Sequence, residues 1–223
     1  MSHLRLALLL GAAITIGPLA MDAYLPAFPE IARSLGVAPQ QVGLSVSVYL
    51  AGLSVGHLVG GPLSDRYGRQ VILLGGLGVF IAASVGIATS ATLAGLLGWR
   101  LVQALGAGFT IVSVPAIVRD RTRGTESARL FSLIALITFA APASAPAIGT
   151  LILWFTQWPG IFLFQAVYAA GIALLLRATL FRGIGLPRGR VIPCTPCSPI
   201  TARCCATVGP CAFCWCWPWP SAS

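Results

Sequence analysis

Long apolar runs separated by short polar breaks organise this chain. Six runs stand out, at residues 4–25, 43–63, 71–90, 92–118, 128–154 and 161–180. A helix of roughly 20 residues crosses the ~30 Å hydrocarbon core of a bilayer, so the pattern predicts six spanning helices. The break at 26–41 carries Pro26, Pro29 and Pro39 and is predicted as an outer loop. The break between the second and third runs is only about seven residues, which makes those two helices antiparallel neighbours. Pro62 and Gly68 suit the exit and the tight turn there. Arg5 followed by an apolar run could mark a cleaved leader, but the run exceeds a usual leader core and five more follow, so a retained helix is expected. Gly17 and Pro18 inside it are tolerated in membrane helices when neighbours satisfy the freed backbone.

Composition agrees with that pattern. Of 223 residues 57% are hydrophobic and 9% charged, with mean hydropathy +0.89, whereas soluble domains hold about 25% charged residues. The chain reads as an all-α polytopic membrane protein whose first partner is the lipid bilayer. All fourteen basic residues are Arg. The net charge of +9 invites a nucleic-acid partner, but the positions of the charges argue for none. Arg5 lies at the very start of the first run. Arg66 and Arg69 lie in the second break, Arg119, Arg121 and Arg123 in the fourth with Arg129 at its far edge, and Arg177 and Arg182 at the end of the sixth run. The opposite breaks hold only Arg33. This positive-inside pattern places the N-terminus in the cytoplasm. Trp154 and Trp158 bracket an outer turn, as interfacial aromatics do. The pairs Gly52/Gly56, Gly75/Gly78 and Gly106/Gly108 are expected to allow close helix contact. No Ser/His/Asp set is present and His3 and His57 stand apart, so no enzyme, metal or cofactor is expected. His57 is read as a packed or water-bonded residue rather than a cavity group.

Chemistry concentrates in a few places. Ionisable residues within spans are costly and are functional candidates by default. Asp22 lies near the outer end of the first run and Arg100 some eight residues into the fourth, at depths of roughly 5 and 12 Å. An Arg side chain spans that offset if the two helices are adjacent, which would set a protonatable carboxylate beside a fixed cation. The alternatives are that Asp22 caps the Pro26 turn and that Arg100 snorkels outward to phosphate. Asp65 and Arg69 are four apart and pair if the third helix starts early.

The ordered set Gly61, Leu63, Ser64, Asp65, Arg66, Gly68 and Arg69 resembles the signature loop between helices 2 and 3 of the major facilitator superfamily, with Gln70 where a second basic residue is common. The stretch from Asp22 through Tyr24, Leu25 and Pro26 to Pro29 resembles the helix-1 segment of twelve-helix drug–proton antiporters. Arg100, Gln103, Gly106 and the Ala104 between them are similar to the helix-4 motif of the Bcr/CflA (bicyclomycin-resistance) type, and the residues from Ala116 to Asp120 extend the likeness. Pro142, Pro146 and Gly149 keep part of the helix-5 antiporter motif, with Ala141 before the first proline, and prolines four apart are expected to kink that helix. The resemblance implies six transmembrane helices equal to the N-terminal half of the major facilitator fold, multidrug efflux by drug:proton antiport across the bacterial inner membrane, and a small amphipathic drug as substrate. It suggests bicyclomycin, sulfonamides or chloramphenicol-like compounds without choosing among them. It implies proton coupling by Asp22 and Arg100, with Gln103 beside them, a conformational-switch role for Gly61, Asp65, Arg66, Gly68 and Arg69, and no cofactor beyond the proton gradient.

The likeness covers residues 4–181, one of the two six-helix halves of such transporters. The expected partner is therefore the missing C-terminal six-helix half or, if the chain is a half-size transporter, a second copy. A non-transporting membrane sensor or structural protein is the remaining alternative. Residues 182–223 differ in kind. They hold all seven cysteines and also Trp215, Trp217 and Trp219. Cys194, Cys197, Cys211 and Cys214 approach a zinc-ribbon spacing, but no hydrophobic pattern around them would build a knuckle. The expectation is an irregular, disordered tail, out of frame with the genuine continuation.

Overall fold

A computed structural model describes residues 3–122 and 124–179. The chain divides into two units, Met1–Gly189 and Arg190–Ser223. The cysteine-rich tail and the readings placed on it lie outside the described residues. Those described are helical throughout apart from turns and short links. In order the elements are α1 (His3–Ile14), α2 (Ile16–Asp22), a 3-10 turn (Leu25–Ala27), α3 (Phe28–Leu35), α4 (Pro39–Tyr67), α5 (Arg69–Ala88), α6 (Leu93–Arg121), α7 (Thr125–Phe155) and α8 (Pro159–Thr179). Among the described residues six helices are long and apolar enough to cross a membrane, the first assembled from α1 to α3. The protein is a multi-pass membrane protein.

The first span is interrupted twice, each time upstream of a proline. Pro18 has no N–H for the Ile14 carbonyl and its ring crowds that group. The backbone turns at Thr15, whose hydroxyl donates to Ala12 O at 2.9 Å and lies 2.8 Å from the Tyr168 hydroxyl of α8. Pro26 likewise has no N–H for Asp22 O, and α2 ends at Asp22. The segment expected to be a loop then forms α3, started by Pro29 in its first turn and closed by Gly36 at φ 64°. Glu30 of α3 accepts the Trp158 N–H at 3.1 Å, which ties this helix to the α7–α8 turn.

The link between the second and third spans is shorter than its polar residues suggest. α4 runs on through Asp65 and Arg66 to Tyr67, and α5 begins at Arg69. Gly68 alone makes the turn, at φ 96° and ψ 138°, a region open in practice only to glycine. The other spans also extend past their apolar runs, α6 to Arg121 and α7 from Thr125.

α6 is the centre of the packing, set between α4 and α5, while α8 packs on α5 and α7 on α1 and α2. At the α4–α6 crossing a Cβ on Gly56 would come within 3.1 Å of the Gly108 Cα, so the backbones touch through their glycines. Gly106 meets the Gly76 backbone of α5 in the same way. The expected pair Gly75 and Gly78 does not pack; both face open space, and Gly76 makes the contact. One period of the helix decides this, because residues 75 and 78 share a face turned away from α6. α7 is mostly unburied, with Leu136 69% and Phe139 79% exposed.

Candidate functional site

The largest fully buried side chain among the described residues is Arg100, which has no exposed surface. Its Nη1 donates to Ala20 O at 3.0 Å and to Gln103 Oε1 at 3.0 Å. Ala20 lies in the last turn of α2, where carbonyls have no intrahelical N–H to meet. The guanidinium thus sits at the negative end of a short helix, where a cation is favoured. Its carbon lies 3.6 Å from the Tyr24 ring centroid, 4.9 Å from Phe162 and 5.4 Å from Tyr49. Aromatic faces attract a desolvated cation by about 2 kcal/mol. Tyr24 is held by its hydroxyl, 2.5 Å from Ser45 Oγ, and Tyr49 donates to Gly17 O at 3.3 Å. Arg100 Nε and Nη2 have no hydrogen-bond acceptor among the described residues.

No ion pair joins Asp22 to Arg100 among the described residues, so the expected pairing is corrected. The depths were compatible, but Ala20 O and the Tyr24 ring occupy the guanidinium. Asp22 is half-buried and follows Ala20 by two residues. Gly149 of α7 is buried against the Ala23 backbone so closely that any Cβ would overlap Ala23 O. That contact brings one member of the helix-5 motif beside Asp22. Pro142 faces outward and Pro146 is half-buried, and α7 runs through both as one helix. Arg100 does not snorkel outward either. His57 is exposed on α4.

Gln103 extends the buried site. Its Nε2 donates to Ser84 Oγ at 2.8 Å and to Gln165 Oε1 at 3.1 Å, and Gln165 Nε2 reaches Leu19 O at 3.5 Å. Four spans meet there through α2, α5, α6 and α8. Ser84, Gln165 and Tyr49 were not singled out in the sequence, and Tyr24 only as a member of the helix-1 segment. Gln165 carried a signal, since a neutral amide in the middle of an apolar span is itself costly unless bonded.

The second polar cluster lies at the opposite ends of the spans. Arg69 Nη1 is 2.9 Å from Asp120 Oδ2 and its Nη2 3.7 Å from Asp65 Oδ1; Nη1 also donates to the Ala116 carbonyl. The early start of α5 allows the Asp65–Arg69 pair, as the spacing predicted. Arg66 lies over the Tyr67 ring at 5.5 Å and Gly61 is half-buried on α4.

A bundle of apolar spans around one fully buried cation, with a clamped charge cluster at the ends of the same helices, defines a multi-pass membrane protein with a polar core. Residues 9–190 match the model of the Major Facilitator Superfamily, and the chain belongs to that family. It is 39% identical over 193 residues to the uncharacterized MFS-type transporter YdgK of Bacillus subtilis, covering 86% of this chain and 48% of that protein. It is 37% identical over 158 residues to a chloramphenicol resistance protein of Pseudomonas aeruginosa, covering 70% and 38%. It is 37% identical over 165 residues to the multidrug resistance protein MdtL of Escherichia coli, covering 74% and 42%. The chain thus spans less than half the length of these relatives. Among solved structures a peptide transporter, POT, superposes with a TM-score of 0.71 at 20% identity, over 91% of this chain and 42% of that one.

Proposed function

We propose that this chain forms one six-helix half of a drug exporter of the Bcr/CflA type in the bacterial inner membrane, with its N-terminus in the cytoplasm, and that it couples drug exit to proton entry. The observation that carries the reading is the fully buried Arg100, held by a helix-end carbonyl and an amide while Asp22 stays unpaired nearby. A charge near mid-bilayer costs about 2.5–3.5 kcal/mol on insertion scales, so its retention there argues for use. An unpaired carboxylate beside a fixed cation is free to take a proton from the outer side and release it inward. The names of the P. aeruginosa and E. coli relatives support a drug as the cargo. The exposed faces of α4 and α7 suit a distinct second six-helix unit.

The test uses a host stripped of its own efflux pumps. Residues 1–223 alone should insert and leave chloramphenicol accumulation unchanged. Co-expression with the second half of the P. aeruginosa relative should lower accumulation, and chloramphenicol should then drive proton release from everted vesicles. Resistance from the chain alone, with two copies by mass in detergent, would replace this with a homodimer. No transport in either arrangement at normal abundance would reject export in favour of a non-transporting membrane role.

A further inference from the structure

We propose that Gln165 and Ser84 are positioning residues that fix which way the Gln103 amide faces and, through it, hold Arg100. The inference rests on the use of Arg100 proposed above.

The direction of each hydrogen bond fixes the arrangement. Leu19 lies in the last turn of α2, and its carbonyl can only accept. It receives the Ala23 N–H at 3.1 Å and, from the side, Gln165 Nε2 at 3.5 Å. Gln165 must therefore turn its nitrogen toward α2 and its oxygen toward α6. Ser84 reaches the same point by another route. It spends its one hydrogen on Phe80 O at 2.7 Å, so its oxygen has only lone pairs left to offer. Both groups that meet Gln103 from α5 and α8 are thus acceptors. The Gln103 nitrogen has two hydrogens and gives one to each, at 2.8 and 3.1 Å. Its oxygen is then the end left for the guanidinium, 3.0 Å away.

Turning this amide over would put an NH2 group against a cation and an oxygen against two oxygens. Both contacts are unfavourable in a buried site, so one orientation holds. Arg100 uses only Nη1 for hydrogen bonds among the described residues, one to Ala20 O and one to Gln103. Half of its directional hold therefore passes through Gln103 to two residues that make no hydrogen bond to it.

The experiment reads Arg100 directly. The chain 1–223 in detergent is treated with phenylglyoxal, a guanidinium reagent, and modification of Arg100 is followed by peptide mass mapping, with exposed Arg33 as the internal reference. Loss of one hydrogen bond to a charged group corresponds to roughly a ten-fold change, so Gln165→Met and Ser84→Ala should each speed Arg100 modification by up to about that factor with Arg33 unchanged. In a Gln103→Met background the same substitutions should add nothing, because their path to Arg100 is gone. Unchanged protection in both variants would overturn the proposal. So would effects that persist in the Gln103→Met background, since those would report packing. If Gln165→Met does not accumulate, the Ser84→Ala arm decides alone. Drug-driven proton release by the same variants co-expressed with the second half of the P. aeruginosa relative tests the function separately: altered Arg100 protection with no transport by the unmutated assembly keeps this inference and rejects the exporter reading.

Discussion

Arg100 and Arg69 present the same guanidinium in two surroundings. Each donates to a helix carbonyl, Ala20 O for Arg100 and Ala116 O for Arg69. They differ in what supplies the opposing charge. Arg69, near the ends of α5 and α6, has Asp120 and Asp65 and is partly exposed. Arg100, inside the bundle, has no carboxylate partner among the described residues and is enclosed by Tyr24, Tyr49 and Phe162. Burying two charges together often costs more than their attraction returns. Near water the desolvation cost is small and an ion pair forms. In the core, carbonyl dipoles, an amide and aromatic faces hold the cation without burying a second charge. That leaves Asp22 without a salt bridge to Arg100 among the described residues.

The largest effect should come from Arg100→Lys. An ammonium lacks the flat guanidinium that lies over the Tyr24 ring while Nη1 meets Ala20 O and Gln103 Oε1, and the aromatic attraction for a desolvated cation is worth about 2 kcal/mol. Drug-driven proton release should disappear and the thermal midpoint in detergent should fall. Normal transport by the Lys variant would show that point charge alone suffices. Asp22→Asn should remove proton coupling equally while shifting stability by less than ~0.5 kcal/mol, because Asp22 is not part of the buried network. A large fall in its thermal midpoint would place it inside that network after all.

Tyr24 separates the aromatic contribution from the hydroxyl. Tyr24→Leu should cost about 2 kcal/mol through the lost ring face, whereas Tyr24→Phe keeps that face and should cost about 1 kcal/mol for the Ser45 hydrogen bond. Equal losses, by denaturation in mixed micelles, would remove the cation–π account. At the other cluster Arg69→Gln should cost only about 0.5–1 kcal/mol, reduced further by salt, as partly exposed pairs do. Asp65→Asn should be smallest in stability, since its side chain is 74% exposed and 3.7 Å from Arg69. We predict that it instead slows the inward–outward switch of the assembled transporter, as a spectroscopic distance probe across the α4–α5 end would register. An unchanged switching rate would leave that carboxylate without a role.

The six spans were legible because length and hydropathy alone decide whether a helix can cross a bilayer. Their ends were not. Polar residues such as Ser64 and Asp65 stop an apolar run but do not stop a helix, which needs only satisfied backbone and finds it in α4 as far as Tyr67. α3 was hidden by its prolines, which read as loop formers although Pro29 sits where a helix begins. At the site, sequence spacing gave the depth of Arg100 but not its azimuth, and azimuth is what sent it to Ala20 O instead of Asp22. Gln103 was found by motif. Gln165 and Ser84 come from other spans, and only the three-dimensional meeting of α5, α6 and α8 joins them.

Gly68 gives the turn between α4 and α5 no slack. A linker of several residues would absorb a tilt of either helix as a hawser absorbs a tug. A single residue acts as an elbow, and Arg69, the first residue beyond it, is fastened to α6 through Asp120 and Ala116. A tilt of α4 therefore meets the Arg69 clamp on α6 with no linker in between.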